Sequence, residues 1–182
     1  MTLTTAKWTL DDYHRMIDAG ILDGRPVELL RGEIIEMSPE GEPHASASVE
    51  AGEYLMRLLG DRAQVRPAKP ITLSHVSSEP EPDLAIVARL GRVYRHCHPY
   101  PEHIFWLIEY SNTSLSKDLG EKKELYAEAG IREYWVVNLQ DMTVVIFRNP
   151  VDGSYQSEQQ LRQGVIYPLA FPDIAVSISQ LL

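Results

Sequence analysis

Two stretches of the chain are apolar almost throughout. Asp83 to Ala88 and Ile104 to Tyr110 show no alternation of apolar and polar positions, the mark of strands buried on both faces. A period of three to four residues appears elsewhere. Val49, Gly52, Leu55, Met56 and Leu59 recur at that spacing, which predicts a helix over His44 to Leu59 stopped by Gly60-Asp61. Ser116 to Ala129 predicts a second helix, with Gly130 as its natural C′ residue. Thr9 followed by Asp12 resembles a capping box with Asp in place of Glu, which opens an N-terminal helix that Trp8 and Tyr13 could staple. Ala19-Gly20 and Asp23-Gly24 end that helix. Val27 to Leu30 and Glu33 to Met37 flank Arg31-Gly32, a hairpin pattern.

The remaining segments are shorter. Ser38 to Pro43 is a loop rich in Pro, Gly and Glu. Ala63 to Arg66 and Ile71 to Leu73 predict short strands broken by Pro67 and Pro70, and Pro99 and Pro101 make Arg89 to His103 an irregular connection. Glu133 to Leu139 and Thr143 to Arg148 predict strands joined by a turn at Gln140-Asp141. Pro150 to Gly153 is a further turn, and Tyr155 to Leu182 reads as short strands, Ala175 to Ile178 being the best. From Ile104 through the second helix to Val137, the length and pattern are those of a parallel strand-helix-strand crossover. The expected class is therefore α/β (α+β), a mixed central sheet flanked by helices, rather than a β-sandwich.

At 182 residues and 44% hydrophobic residues, the chain fits one domain over 1–182, with the first helix and hairpin (about 1–43) preceding the core. No apolar run approaches the ~20 residues of a membrane helix. Met1 to Lys7 lacks the pattern of a secretory signal. Cys97 is the only cysteine, which excludes an intramolecular disulfide and fits a cytoplasmic setting. The net charge of −9 runs against the basic patch that nucleic-acid binding usually needs. Arg89, Arg92, Arg95, His96 and His98 form one basic cluster, and Arg57, Arg62, Arg66 and Lys69 another. Both read first as solvated surface.

The candidate chemistry sits at the ends of the two apolar runs. Asp83 opens one, Glu109 lies near the end of the other, and Lys122 follows on the second helix. On neighbouring strands, same-face residues come ~4.7 Å apart across the ladder. Two carboxylates at that spacing repel unless a cation lies between them. Such a pair can hold magnesium, which polarises a phosphate and acidifies a bound water, while an ammonium offsets charge on the phosphate in the transition state. Either acid alone reads more simply as a solvated strand-end residue. The combination of both with the lysine favours phosphodiester hydrolysis.

The chain resembles the Uma-two family of restriction-endonuclease-type proteins, within the PD-(D/E)XK nuclease superfamily, over nearly its full length. The marks are Val27-Glu28-Leu29-Leu30-Arg31-Gly32, His44 after a Pro-rich loop, and Pro82-Asp83-Leu84. Glu109-Tyr110-Ser111 with Thr113-Ser114, the series Asp118, Lys122, Tyr126, and Glu133-Tyr134-Trp135-Val136-Val137 complete the set. The resemblance implies a restriction-endonuclease-like fold with His44 to Leu59 as first helix, Asp83 and Glu109 ending the second and third strands, and Ser116 to Ala129 as crossover helix. It implies an endonuclease acting on DNA, with Mg (or Mn) held by Asp83, Glu109 and the backbone carbonyl of Tyr110. It also implies a homodimer, because two sites are needed to cut two strands.

One position departs from the superfamily pattern. The usual lysine, two residues after the second acid, is Ser111 here, and the resemblance moves it to Lys122. Asp118, Lys122 and Tyr126 are four apart and would share a helix face, with Lys123 turned ~100° away. Without the resemblance, Lys122 reads as an exposed lysine paired with Asp118. His44 either touches the site and assists proton transfer or serves a helix-start hydrogen bond. Glu28 is either a further acidic ligand or a fixer of the hairpin. Glu50 and Glu53 are weaker acidic candidates on the first core helix. His96-Cys97-His98 looks like a metal tract, but adjacent residues splay apart on an extended chain and no second cysteine exists. The chain carries no GxxxxGK[ST], GxGxxG or GxSxG motif. Two alternatives stay open: a nuclease-fold module that binds nucleic acid or a protein without turnover, which Ser111 and the acidic balance favour, and a phosphodiesterase of small nucleotides.

Overall fold

A computed structural model describes residues 5–112 and 114–182, so Thr113, one of the family marks, lies outside the described residues. The chain opens with α1 (Leu10–Asp18), whose Thr9 and Asp12 form the expected reciprocal cap, and with the hairpin β1 (Val27–Leu30) and β2 (Glu33–Glu36). Tyr13 is buried, while Trp8 remains 43% exposed. Then come α2 (Glu42–Leu59), β3 (Gln64–Pro67), β4 (Leu84–Val87) and β5 (Ile104–Ser111). The crossover holds α3 (Leu115–Leu119) and α4 (Glu121–Glu128), followed by β6 (Glu133–Asn138), β7 (Thr143–Val151) and β8 (Ser154–Leu161). A two-residue pair, β9 (Val165–Ile166) and β10 (Val176–Ser177), closes the chain. Among the described residues, no helix is long and apolar enough to cross a membrane.

The central sheet runs β3-β4-β5-β6-β7-β8. All neighbours are antiparallel except β5 and β6, which the crossover makes parallel. This is the mixed sheet with flanking helices that the pattern predicts. The apolar runs of β4 and β5 are buried because helices cover both faces. Trp106, Ile108 and Tyr110 of β5 meet Ala51, Leu55 and Leu59 of α2 on one side. Leu107 joins Leu125 and Tyr126 of α4 on the other. Each fully buried large apolar side chain of this kind stabilises the fold by roughly 1.5–3 kcal/mol.

Several expectations need correction. The core face of α2 runs through Ala51, Leu55 and Leu59, while Val49 and Met56 are 59% and 44% exposed. The predicted helix Ser116 to Ala129 is two helices, broken where Gly120 takes φ −111° and ψ −97°. A Cβ at Gly120 would lie 2.7 Å from the Ser116 carbonyl oxygen, so any other residue would force that contact apart. Ile71 to Leu73 forms no strand; Leu73 makes only an isolated bridge to Ser78. Pro150 belongs to β7, and the turn is at Asp152-Gly153. The best strand of the tail is not Ala175 to Ile178, which holds only two strand residues before a 3₁₀ turn, but the eight-residue β8.

Candidate active site

Antiparallel pairing of β4 with β5 sets Leu84 opposite Ile108. Asp83, the residue just before β4, therefore meets the end of β5, where Glu109 lies. The two acids come together because one starts its strand while the other nears the end of its neighbour. Asp83 thus precedes the second core strand rather than ending it. The Tyr110 backbone N–H donates to Asp83 Oδ2 at 2.6 Å, extending the ladder by a side chain.

Alternation along β5 turns Glu109 toward the α4 side. There the Lys122 ammonium donates to Glu109 Oε1 at 2.8 Å and the Tyr126 hydroxyl donates to the same oxygen at 2.7 Å. Lys122 and Tyr126 are one turn apart on α4, so a single helix face delivers both donors. The exposed Lys122–Asp118 pair is not what forms: Lys122 is buried, and Asp118 Oδ2 accepts from the Ser111 and Ser114 hydroxyls at 2.6 Å each. Ser111, two residues after Glu109, thus anchors the start of the crossover. Lys123 turns away, 3.4 Å from Glu158 and above the Phe147 ring.

The hairpin contributes Glu28, which is 1% exposed. Its Oε1 accepts from Lys117 Nζ at 2.7 Å, and its Oε2 accepts from the Glu81 N–H at 3.3 Å and lies 3.9 Å from Lys122 Nζ. Lys117 and Glu81 have no signal in the apolar pattern; their spacing to the hairpin becomes visible only in the fold. From the first turn of α2, His44 brings Nε2 to 3.0 Å from Asp83 Oδ1, though without the angle of a good hydrogen bond. Glu40, in the loop ahead of α2, completes a trio. One ligand atom each from Glu40, His44 and Asp83 lies within 4.8 Å of the others. Sequence reasoning missed Glu40 because a Pro- and Gly-rich loop carries no period.

These groups line one open cavity of about 820 Å³, which holds Glu28, Glu40, His44, Asp83, Glu109, Tyr110, Lys117 and Lys122. Burial pushes the Glu109 carboxyl up, to about 8, against the pull of the Lys122 ammonium and with the help of the Asp83 and Asp118 charges. Burial also disfavours the Lys122 ammonium, but Glu109, Glu28 and Asp118 outweigh it and hold the lysine above its ordinary value. The Asp83 carboxylate raises His44. Burial raises the Tyr110 and Glu81 side chains. The cavity thus carries more carboxylate than its cations neutralise, an arrangement that suits a divalent ion.

Other candidates lie elsewhere. Glu50 accepts from Ser46 and Glu53 from Arg57, and both line a separate small pocket beside the C-terminal residues. Of the basic clusters, Arg57, Arg62 and Arg89 are paired with Glu53, Asp173 and Asp61, and Arg66 stacks on Tyr94. His96, Cys97 and His98 line a pocket with His14 and the buried Glu79, in which Glu79 lies 3.0 Å from His14 and 3.9 Å from His98.

A family model described as "Uma2: Putative restriction endonuclease" matches residues 10–179. The chain belongs to the Uma2 family. No curated protein matches this Uma2 chain. Among solved structures it is similar to the crystal structure of a "putative nuclease belonging to DUF820" from Anabaena variabilis, with a TM-score of 0.73 and 18% identity. The likeness covers 95% of this chain and 96% of that one. At such identity it shows the fold of the Uma2 chain: the mixed sheet and its helices.

Proposed function

We propose that this chain is a metal-dependent endonuclease that hydrolyses phosphodiester bonds in DNA. The observation that carries the reading is the meeting of Asp83, Glu109 and Lys122 in one cavity, within a family described as "Putative restriction endonuclease". Asp83, Glu109 and the backbone carbonyl of Tyr110 would hold Mg (or Mn). When bound, the cation supplies charge neutralisation at the phosphate and a water of lowered pKa.

The chain's own residues do the rest. The Tyr110 N–H fixes Asp83 Oδ2, and Oδ1 lies 3.0 Å from His44 Nε2. Tyr126 and Lys122 aim the Glu109 carboxylate by gripping one of its oxygens. Lys122 also supplies positive charge where the phosphate gains negative charge in the transition state. Glu28 steadies Lys117 and Lys122 from the hairpin side. His44 stands beside Asp83 at the first turn of α2, with Nε2 3.0 Å from Oδ1. A homodimer in the cytoplasm, cutting one strand per site, is the assembly that fits this reading.

A second reading is favoured by two observations. Ser111 occupies the usual lysine position and is engaged with Asp118, and the chain carries a net charge of −9. A non-cleaving module that binds nucleic acid or a protein would show both features. Supercoiled plasmid with Mg²⁺ or Mn²⁺ separates the two readings. The hydrolytic reading expects nicked and linear products from the intact chain and none from Asp83→Asn. Retained binding with no cutting by either protein supports the second reading, and equal cutting by both assigns the activity to a contaminant.

A further inference from the structure

The trio of Glu40, His44 and Asp83 is not accounted for by the roles given to Asp83, Glu109 and Lys122. His44 Nε2 is shielded from solvent, approaches Asp83 Oδ1 at 3.0 Å and has no well-angled hydrogen bond among the described residues. A protonated His44 would balance the charge of Asp83 alone. Glu40 adds a second carboxylate on the same spot, and the first turn of α2 adds Glu42 nearby in the chain. These acids offset the positive end of the helix dipole. Metal–ligand bonds of about 2.0–2.2 Å set two ligand atoms on one ion at most about 4.4 Å apart. The three ligand atoms all lie within 4.8 Å of one another, His44 Nε2 and Asp83 Oδ1 at 3.0 Å, and Glu40 is an exposed loop residue.

We propose that Glu40, His44 and Asp83 form a second divalent-cation site, which takes an ion that accepts an imidazole nitrogen, such as Mn²⁺, in preference to Mg²⁺. Magnesium favours oxygen donors and keeps its waters, whereas an imidazole beside two carboxylates suits transition ions. Asp83 is the hinge between this site and the one assigned with Glu109. Its Oδ2 is held by the Tyr110 N–H, and its Oδ1 faces His44. Paired ions about 3.5–4 Å apart across one carboxylate are a recurring device of phosphodiester chemistry. The binding claim needs no turnover and goes beyond the hydrolytic reading.

The test is Mn²⁺ titration of the full chain followed by electron paramagnetic resonance, with nitrogen modulation of the bound ion as readout. Two Mn²⁺ per chain are expected, one of them coupled to nitrogen and resistant to displacement by excess Mg²⁺. His44→Gln loses the coupled ion. Glu40→Gln, a change on an exposed loop that leaves the core untouched, weakens that ion selectively. Glu109→Gln keeps the nitrogen-coupled ion. Absence of nitrogen coupling in the intact chain, or its persistence in His44→Gln, overturns the proposal. Failure of plasmid cleavage with the coupled ion intact would instead count against the hydrolytic reading alone.

Discussion

Two buried glutamates on neighbouring strands, Glu109 of β5 and Glu133 of β6, are 3% and 0% exposed yet are treated in opposite ways. Glu133 is saturated. Arg148 donates twice to its Oε1, at 2.9 and 2.6 Å, Trp135 Nε1 donates to the same oxygen at 2.9 Å, and the Leu169 N–H donates to Oε2 at 2.7 Å. Both oxygens have partners, and the carboxylate ties β6 to β7 and to the C-terminal segment. Among the described residues, Glu109 receives Lys122 and Tyr126 on one oxygen only; it faces a cavity with Asp83 in it, and has its pKa pushed up to about 8. A buried acid whose donors satisfy both oxygens holds a fold together. One whose donors leave an oxygen toward an acidic cavity is poised for a further cation.

The largest expected effect is on cutting. Glu109→Gln keeps the shape and removes the charge, and plasmid cleavage should fall by at least about 10³-fold, equivalent to ~4 kcal/mol of transition-state stabilisation, with an unfolding midpoint that does not fall. A variant that still cut at a tenth of the normal rate would put Glu109 with Glu133 among the structural acids. The second effect is on stability. Glu133→Ala removes the carboxylate partner of Arg148, which keeps its bond to the Tyr167 carbonyl at 2.7 Å, and should cost about 3 kcal/mol in chemical denaturation, the low end for a broken buried pair.

A third, smaller effect follows from the raised Glu109. With a folded value of about 8 against an ordinary 4.5, the native state holds more protons than the unfolded state between those limits. The metal-free chain should therefore lose stability as pH rises from about 5 toward 8. Mn²⁺ binding works in the other direction, because the ion displaces the proton, so thermal stabilisation by Mn²⁺ should be greater at pH 8.5 than at pH 6. Equal stabilisation at both would show that Glu109 does not ligate. The smallest effect belongs to Lys123→Ala. This lysine contacts Glu158 and Phe147 on the outside of α4, so the change should cost less than about 1 kcal/mol and leave cleavage untouched.

The apolar runs made β4 and β5 legible, and the length from Ile104 to Val137 made the parallel crossover legible. Leu55 and Leu59 marked the core side of α2, but Val49 and Met56 share its period while facing solvent, because spacing alone does not say which of two stripes meets the sheet. The interruption at Gly120 was hidden, as a single glycine inside a polar helix pattern looks tolerable until the Ser116 carbonyl is placed beside it. The strand β8 was hidden for another reason. Gln156, Ser157, Glu158, Gln159 and Gln160 form a polar edge paired only to β7, where no apolar alternation is required. Asp83, Glu109 and Lys122 could be singled out from residue type and resemblance. Glu40 and Lys117 could not, since only tertiary folding brings a loop and a helix turn to the same cavity.

The 2.6 Å bond from the Tyr110 amide to Asp83 makes that carboxylate the last rung of the β4–β5 pairing. Deleting the side chain therefore unzips a strand edge as well as removing an anion, and Asp83→Ala mixes two injuries. Asparagine retains an oxygen that can take the amide hydrogen, which gives the experimenter a clean separation of scaffold from reactivity at this position.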